Sequence, residues 1–332
     1  MPTTLVWFRR DLRVADLPTL RHAAARGAVA CLFVLDPVLL ARRHLQSPPR
    51  LRFLREGLVA LDRELARRGV RLVVRRGDPA AVVPGVAHEA DADLVLWTRE
   101  VSPLGRARDA RVAHALDADR IAHRAMPGDL VVEPNDIEGR EGRGYLVFTP
   151  FWKTWSGHPL PAHAPAPEEL HGPDLPSEGT TSLPDGDPPL PAGPEPARTR
   201  LVEFVRSGAA DAYGDGRNDL ARDGTSGLSA YLRLGMCSGA QVGRALGLPG
   251  AISEGRRAFW RQLCWREFYH HHLARHPEVA RTALRPELRA VAWQGDGADL
   301  AAWERGETGY PLVDAAMRQL AATGWMHNRA RM

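Results

Sequence analysis

Apolar and polar positions along the first half of the chain alternate in a way that predicts a sheet with helices between its strands. Short apolar runs occupy residues 5–8, 29–35, 70–74 and 94–97. Such uninterrupted runs are typical of strands buried on both faces, and residues 51–68 carry apolar side chains at helical spacing. The pattern predicts an α/β domain with an open, parallel, Rossmann-like sheet over residues 1–155.

Residues 156–198 break this pattern. They are rich in proline, glycine, serine and acidic residues, and they show no sustained period of either kind. Because a structureless stretch of that length is uncommon within one compact domain, we expect an interdomain linker here.

Beyond the linker, apolar positions recur at helical spacing, which predicts an all-α domain over residues 199–332. The predicted helices cover residues 198–207, 238–246, 253–276, 300–304 and 311–323. The last one has Pro311 at its start and Gly324 just past its end, which are the positions that proline and glycine favour in helices. A further helix is predicted to open at Trp325. Because Met332 follows without a cap or a partner for the apolar face, we expect a domain incomplete at its C-terminus.

The composition excludes several classes of protein. With 332 residues, of which 44% are apolar and 25% charged, the chain suits a two-domain globular protein and not a disordered or fibrous one. It has no run of about 18 apolar residues and no secretion signal, so we expect no membrane association and a cytoplasmic location. Cys31, Cys237 and Cys264 are too far apart for a zinc motif or a disulfide framework, and no metal site is predicted.

The basic residues give an ambiguous signal. The formal net charge is +4, and Lys153 is the one lysine among 44 basic residues. Arginine suits phosphate recognition where the side chains cluster. Codon bias in a GC-rich genome explains the same excess, so charge alone does not identify a polyanionic partner.

A first candidate binding segment contains Tyr213 and residues 224–229, which read Gly-Thr-Ser-Gly-Leu-Ser. The hydroxyls of Thr225, Ser226 and Ser229, with the N–H groups of a glycine-bounded turn, suit an anion such as a cofactor diphosphate. Helix capping by the same residues is the alternative. Neither the GxGxxG dinucleotide motif nor the P-loop motif occurs in the sequence.

A second candidate segment lies within the predicted helix at 253–276. Gln262, Arg266 and Tyr269 fall on one stripe, which Trp265 and Phe268 flank. A guanidinium and large aromatic rings on one flank suit a planar, charged ligand. A core helix whose arginine reaches out to solvent is the alternative.

A third candidate segment follows Gly324. Asn328, Arg329 and Arg331 place amide and guanidinium groups beside His327. Dense donors of this kind fit contacts with phosphates or base edges. Solvation of an ordinary surface is the alternative for each arginine taken singly.

Together, the motifs of the whole chain resemble the cryptochrome/DNA photolyase family, and most of all its cyclobutane pyrimidine dimer class, the deoxyribodipyrimidine photo-lyases. They are WFRRDLR at 7–13, FTPFW at 148–152, GTSGLS at 224–229, CWREFY at 264–269, TGYP at 308–311 with VDAAMR at 313–318, and GWMHNR at 324–329. Their shared order makes this resemblance far more specific than any single motif.

The resemblance implies an α/β antenna domain followed by an all-α FAD-binding domain. It implies a lyase in which light drives an electron from reduced FAD to a cyclobutane pyrimidine dimer in DNA, with the lesion taken out of the base stack. It also implies an antenna chromophore, either methenyltetrahydrofolate or a deazaflavin, and a monomer without an obligate protein partner.

The resemblance also implies roles for single residues. The residues expected to contact FAD are Tyr213, Thr225, Ser226, Gly227, Leu228, Ser229, Arg266 and Arg331. Those expected at the lesion or the DNA phosphates are Arg217, Gln262, Trp265, Tyr269, Asn328, Arg329 and Met332. Trp293 matches the surface end of a tryptophan chain that passes electrons to the flavin.

The sequence departs from the family pattern at a few positions. Gly227 stands where many relatives have arginine, Gln262 where some have glutamate, and Asp16-Leu17 where Asp-Asn is usual. The family's later flavin contacts, which follow the helix expected at Trp325, are missing. Two alternatives to the repair enzyme therefore stay open: a cryptochrome-type photoreceptor, and an inactive fragment with at most nonspecific DNA binding.

Overall fold

The computed structural model describes residues 1–42, 46–137, 139, 144–292 and 297–331. It confirms the predicted parallel sheet, in which the described strands follow the order β3-β2-β1-β4-β5. The strands are β1 (Thr3–Phe8), β2 (Ala28–Leu35), β3 (Leu72–Arg76), β4 (Ala92–Thr98) and β5 (Ala122–Met126). Because the strand order reverses between β1 and β4, a crevice opens at their carboxyl ends.

The sheet is covered by helices on both faces, as the apolar runs predict. The helices are α1 (Pro18–Arg26), α2 (Pro37–Leu40), α3 (Pro48–Ala66), α4 (Pro79–Glu89) and α5 (Pro103–Ala118). Val6 and Phe8 of β1 share a core with α1 and α3. Leu5 and Trp7 share the opposite core with α4 and α5. Alternate residues of one strand therefore serve two different cores.

The apolar pattern missed β5. This strand reads Ala-His-Arg-Ala-Met, and each of its residues is exposed or half-buried. Its pairing places Ala122 opposite Leu94 of β4, and β5 forms one edge of the sheet. An edge strand with charged side chains lacks the continuous apolar run of a central strand, so a search for such runs passes over it.

Residues 156–193, here called the connector, form neither helix nor strand but are firmly packed on the α/β domain. Leu170 and Leu183 are buried in its core. The backbone of Leu170 donates to Arg68 O at 2.6 Å, and Val29 N donates to His171 O at 2.7 Å. Glu178 N donates to Val74 O of β3 at 2.9 Å. The segment that composition marks as a linker is thus an ordered strap.

The second half of the chain is helical, as predicted. Its helices, with α6 ahead of the connector, are α6 (Phe148–Trp155), α7 (Pro194–Arg206), α8 (Tyr213–Gly216), α9 (Ser229–Leu234), α10 (Gly239–Leu246), α11 (Glu254–Arg275), α12 (Gly297–Arg305) and α13 (Pro311–Thr323). Short 3-10 turns cover Pro277–Ala280, Pro286–Leu288 and Asn328–Arg331. The sequence missed the short helices α6, α8 and α9, and α7 begins four residues earlier than predicted. No helix in the described ranges is long and apolar enough to cross a membrane.

The prediction of a helix that begins at Trp325 was wrong. Gly324 ends α13 in the left-handed region with φ 70°, and the chain then runs without helix to Asn328. The His327 ring accepts the backbone N–H of Arg329 at 3.1 Å, and Arg331 Nε donates to Met326 O at 3.3 Å. These contacts fold the segment back on itself in a 3-10 turn.

The two halves meet along an interdomain seam, formed by residues 10–13 after β1 and residues 233–235 at the end of α9. Leu12 N donates to Leu234 O at 3.0 Å, and the buried Arg13 donates to Gly235 O at 2.9 Å. Gly235 has φ 65°, and a Cβ there would lie 2.0 Å from Arg10 O. The N-terminal motif therefore joins the sheet to the helical half by backbone contact that needs glycine opposite it.

Candidate functional site

The aromatic ring of Tyr213 anchors one wall of the candidate site. Tyr213 opens α8 and packs edge-on against Phe204 of α7 and Phe259 of α11, with ring centroids 6.1 and 5.0 Å away. The Arg217 guanidinium lies 5.8 Å from the centre of the Tyr213 ring. Burial raises the pKa of the Tyr213 hydroxyl, and the charges of Arg217 and Arg329 oppose that rise. Tyr213 thus holds α8 against α11 and beside two arginines.

The predicted hydroxyl loop, residues 224–229, lies directly against α8. A Cβ at Gly224 would stand 2.5 Å from Gly216 O, so the two backbones touch. Ser226 is buried, and its hydroxyl accepts Leu228 N at 3.3 Å, while Ser229 is exposed. Gly227 has φ 64°, which favours glycine there. The structure therefore brings the first candidate segment together as one surface.

The third candidate segment meets the same surface. Arg329 Nη2 donates to Asn218 Oδ1 at 2.8 Å, just past the end of α8. Asn328 is exposed. We call Tyr213, Arg217, residues 224–229 and Arg329 the α8 cluster.

The helix α11 carries the second candidate segment, as predicted. Trp265 lies face to face with Phe148 of α6, with ring centroids 3.6 Å apart and an angle of 5° between the rings. Tyr269 is exposed, and its ring stacks near Trp265 at 5.7 Å. Gln262 is half-buried. Because Phe148 covers one face of the Trp265 indole, a planar ligand would have to stack on the other.

Arg266 is bound on the side of the α/β domain. Its guanidinium donates to Asp129 Oδ1 at 2.6 Å. Burial of Asp129 opposes its ionisation, but Arg266 and Arg10 outweigh burial and lower the pKa of this carboxyl to about 2. The role of Arg266 as a flavin contact stays a prediction. It requires the guanidinium to contact the flavin while it remains paired with Asp129.

Glu267, the next residue, is a fully buried carboxylate with three donors. It accepts Val131 N at 2.6 Å, Val132 N at 3.1 Å and the Trp155 indole N–H at 2.7 Å. Burial raises the pKa of Glu267 to about 7, although Arg266 and these hydrogen bonds oppose the rise. The carboxylate fixes α11 to α6 and to the segment after β5, and it thereby sets the rotation of the helix that presents Gln262 and Trp265.

The crevice at the carboxyl ends of β1 and β4 is lined by charged side chains. They are Arg9, Arg10, Arg99, Glu100 and Asp129, with Thr98. Arg9 is bound to Asp109 and to Thr98 O, and Arg108 donates to Glu100 at 2.6 Å. Burial opposes ionisation of Glu100, but Arg9, Arg108 and Arg10 lower its pKa to about 2. The antenna site and the choice of chromophore stay predictions.

The remaining predicted residues are Arg331, in the same 3-10 turn as Arg329, and two residues outside the described part of the chain. Arg331 is exposed and contacts Met326 within its own segment. Trp293 and Met332 lie outside the described residues. Two buried nitrogens, Nε of Arg217 in the α8 cluster and Nε2 of His327, have no hydrogen-bond partner among the described residues.

Sequence reasoning missed several residues that shape the site. Arg200, Asp129 and Asn218 act through partners that are 23 or more residues away, and no local pattern marks such pairs. Glu267 did carry a signal, because it follows Trp260 and Leu263 at helical spacing on the buried stripe of α11. A carboxylate on such a stripe needs buried donors.

Comparison with known proteins shows which proteins the chain resembles. Residues 4–169 match the family model described as DNA photolyase, and residues 259–332 match the FAD binding domain of DNA photolyase. The chain is 40% identical to a deoxyribodipyrimidine photo-lyase of Streptomyces griseus over 100% of its own length and 73% of that protein.

Solved structures are similar over the whole chain as well. A class III photolyase from Agrobacterium tumefaciens has a TM-score of 0.90 at 33% identity and covers 100% of this chain, which spans 71% of that one. A Synechocystis cryptochrome has a TM-score of 0.89 at 27% identity, with coverage of 100% and 73%. These matches show that the chain belongs to the cryptochrome/DNA photolyase family of flavoproteins, whose FAD binding domain its residues 259–332 match.

Proposed function

We propose that this protein repairs cyclobutane pyrimidine dimers in DNA in a light-driven reaction that uses bound FAD. The observation that carries the proposal is the α8 cluster, which collects the predicted hydroxyl, aromatic and guanidinium groups on one side of α11. Relatives that are 33–40% identical over nearly the whole chain are named deoxyribodipyrimidine photo-lyases, which supports this reaction.

The residues of the α8 cluster fit a phosphate-bearing flavin cofactor. The buried Arg217 Nε without a hydrogen-bond partner marks a donor that a ligand can satisfy. A Cβ at Gly224 would lie 2.5 Å from Gly216 O and one at Gly227 3.2 Å from Arg200 Nε, so both glycines let the loop pack closely on α8 and α7. Tyr213, Thr225, Ser226, Gly227, Leu228 and Ser229 would hold the cofactor, with Arg266 and Arg331 at its margin. When bound and reduced, FAD supplies the electron that splits the lesion.

On the DNA side, the proposed contacts divide by chemistry. Trp265, with Tyr269 beside it, offers aromatic surface to an extruded apolar pyrimidine pair. Gln262 offers both an amide donor and an acceptor to the bases of the lesion. Arg217, Asn328 and Arg329 would bind phosphates and set the register of the strand. We further propose that the protein acts as a cytoplasmic monomer without an obligate protein partner.

A photoreceptor function is the second candidate, because a cryptochrome shares the fold at a TM-score of 0.89. The higher sequence identity to repair enzymes favours repair. The two functions differ in one observable step, since both take up light through the flavin and only the repair enzyme changes the DNA.

The test is repair of an oligonucleotide that contains one thymine dimer, under blue light and with FAD reduced beforehand. We expect the dimer to be lost in the light and to persist in the dark, and chromatography of the oligonucleotide measures this loss. Trp265→Ala removes a stacking surface worth about 1–3 kcal/mol, so binding of the lesion should weaken roughly tenfold or more. Trp303→Ala, at an exposed position on α12, is the matched control and should repair normally. Flavin uptake without any repair would overturn the proposal in favour of the photoreceptor.

A further inference from the structure

Arg200 of α7 binds the backbone carbonyl groups of the hydroxyl loop, residues 224–229. Its Nε donates to Ser226 O at 2.9 Å, and its Nη2 donates to Thr225 O at 3.1 Å. The same guanidinium pairs with both carboxylate oxygens of Asp223 at 2.7 Å. One planar group thus binds the loop at two positions, 25 and 26 residues away, and the residue just before the loop, 23 residues away.

The path of the loop leaves room for this guanidinium. Gly227 has φ 64°, and a Cβ at that position would lie 3.2 Å from Arg200 Nε. The left-handed turn at Gly227 and the guanidinium below it are therefore fitted to each other. Arg200 also lies close enough to Tyr231 of α9 to oppose the rise of its pKa that burial causes.

Arg200 takes up the inner carbonyl groups of the loop and leaves its other side to a ligand. The Thr225 and Ser226 carbonyls point at Arg200, while Ser229 stays exposed on the loop. Because hydrogen bonds to a charged donor are about twice as strong as neutral ones, this brace restricts the loop before any ligand arrives. A loop held in its bound conformation loses less entropy on binding.

We propose that Arg200 is a positioning residue for the flavin cofactor, which it serves by fixing residues 224–229 and not by touching the cofactor. The inference rests on the proposed function, because it assumes that this loop holds the diphosphate of FAD. It assigns a role to a residue of α7 that stands apart from every motif of the site.

The chain offers a matched control on the same helix. Arg198 lies two residues before Arg200, is exposed at 65%, and pairs with Glu195 within α7. Arg198→Gln therefore removes the same charge from the same helix without touching the loop. Arg200→Lys keeps the charge but loses the planar fork that reaches two carbonyls and a carboxylate together.

The experiment titrates the cofactor-free protein with FAD and, separately, with riboflavin, which has no phosphate. We expect Arg200→Gln to weaken FAD binding roughly tenfold, the equivalent of one charged hydrogen bond, and to leave riboflavin binding unchanged. Arg200→Lys should lie between Arg200→Gln and the unchanged protein, and Arg198→Gln should match the unchanged protein.

Hydrogen exchange of the loop amides, measured without any flavin, gives an independent readout. Exchange of residues 225–229 should speed up in Arg200→Gln while the melting temperature stays near that of Arg198→Gln. Equal FAD affinity of the two variants overturns the inference, and so does a loss that riboflavin shares. If the unchanged protein binds no FAD, the proposed function itself fails, and this result is distinct from equal binding by both variants.

Discussion

The interdomain seam and the α8 cluster both contain arginines, but these differ in whether their polar groups are already paired within the protein. In the seam and beside it, Arg13, Arg266 and Glu267 are engaged with backbone or with opposite charges of the other half. In the α8 cluster, Arg217 keeps a buried nitrogen without a hydrogen-bond partner in the described ranges, and Ser229 is exposed. Paired groups hold the two halves together, whereas unsatisfied or exposed groups are the ones available to ligands.

This difference predicts that substitutions in one region mainly change the stability of the fold, while substitutions in the other mainly change ligand binding. Substitutions at the contacts that join the halves should unfold the protein more easily. Substitutions of the more exposed polar side chains of the α8 cluster, such as Arg329, should leave folding nearly unchanged and weaken binding.

The largest effect is expected from Glu267→Ala. It leaves Val131 N, Val132 N and the Trp155 indole N–H without their acceptor. Buried donors left unsatisfied each cost about 1–3 kcal/mol, so the free energy of unfolding should fall by about 3 kcal/mol in a urea titration. Glu195→Ala, which removes a carboxylate exposed at 64%, is the control and should change it by less than about 0.5 kcal/mol. Equal losses in both variants would contradict the contrast.

A smaller effect concerns pH. Burial raises the pKa of Glu267 to about 7 from an ordinary value of 4.5, so the folded state holds this proton more tightly than the unfolded chain does. Its stabilising contribution is complete below about pH 4.5 and is lost as the pH rises to about 7. Relative to Glu267→Gln, the unchanged protein should lose up to about 1.4 kcal/mol of unfolding free energy per pH unit in that window. Parallel curves of the two proteins between pH 5 and 8 would falsify the assignment.

The smallest effect on folding is expected at Arg329. Arg329→Gln removes a surface contact with Asn218 and should change the unfolding free energy by less than about 0.5 kcal/mol. Because Arg329 is proposed to bind phosphate, the variant should weaken DNA binding and reduce its salt slope by about one. Arg305→Gln, at an exposed pair on α12, is the control and should keep the original slope. A slope unchanged in both variants would remove Arg329 from the DNA surface.

The sequence predicted the fold well where local chemistry decides it. The central strands are continuous apolar runs because they are buried on both faces, and Pro311 and Gly324 mark the ends of α13 correctly. Predictions failed where a partner strand, or contacts within a short irregular segment, decide the structure. The segment after Trp325 folds back onto Met326 and does not start a helix, and β5 exists because β4 offers it a partner.

The candidate site divides in the same way. Residue types and motif order gathered the members of the α8 cluster, because each motif keeps its chemistry in one short stretch. Neither the pairing of Arg266 with Asp129, 137 residues away, nor the reach of Arg200 under the loop could be predicted. Such contacts depend on the packing of whole helices, and no local period in the sequence records them.

The connector also has a consequence for association between molecules. β3 is an outer strand of the sheet, and such strands invite pairing with a neighbouring chain. Ser177 Oγ accepts Val74 N at 2.9 Å, and Glu178 N donates to Val74 O, so the connector occupies this edge. A segment whose composition is typical of a flexible linker thus covers an edge strand and disfavours strand exchange and aggregation on that side of the molecule.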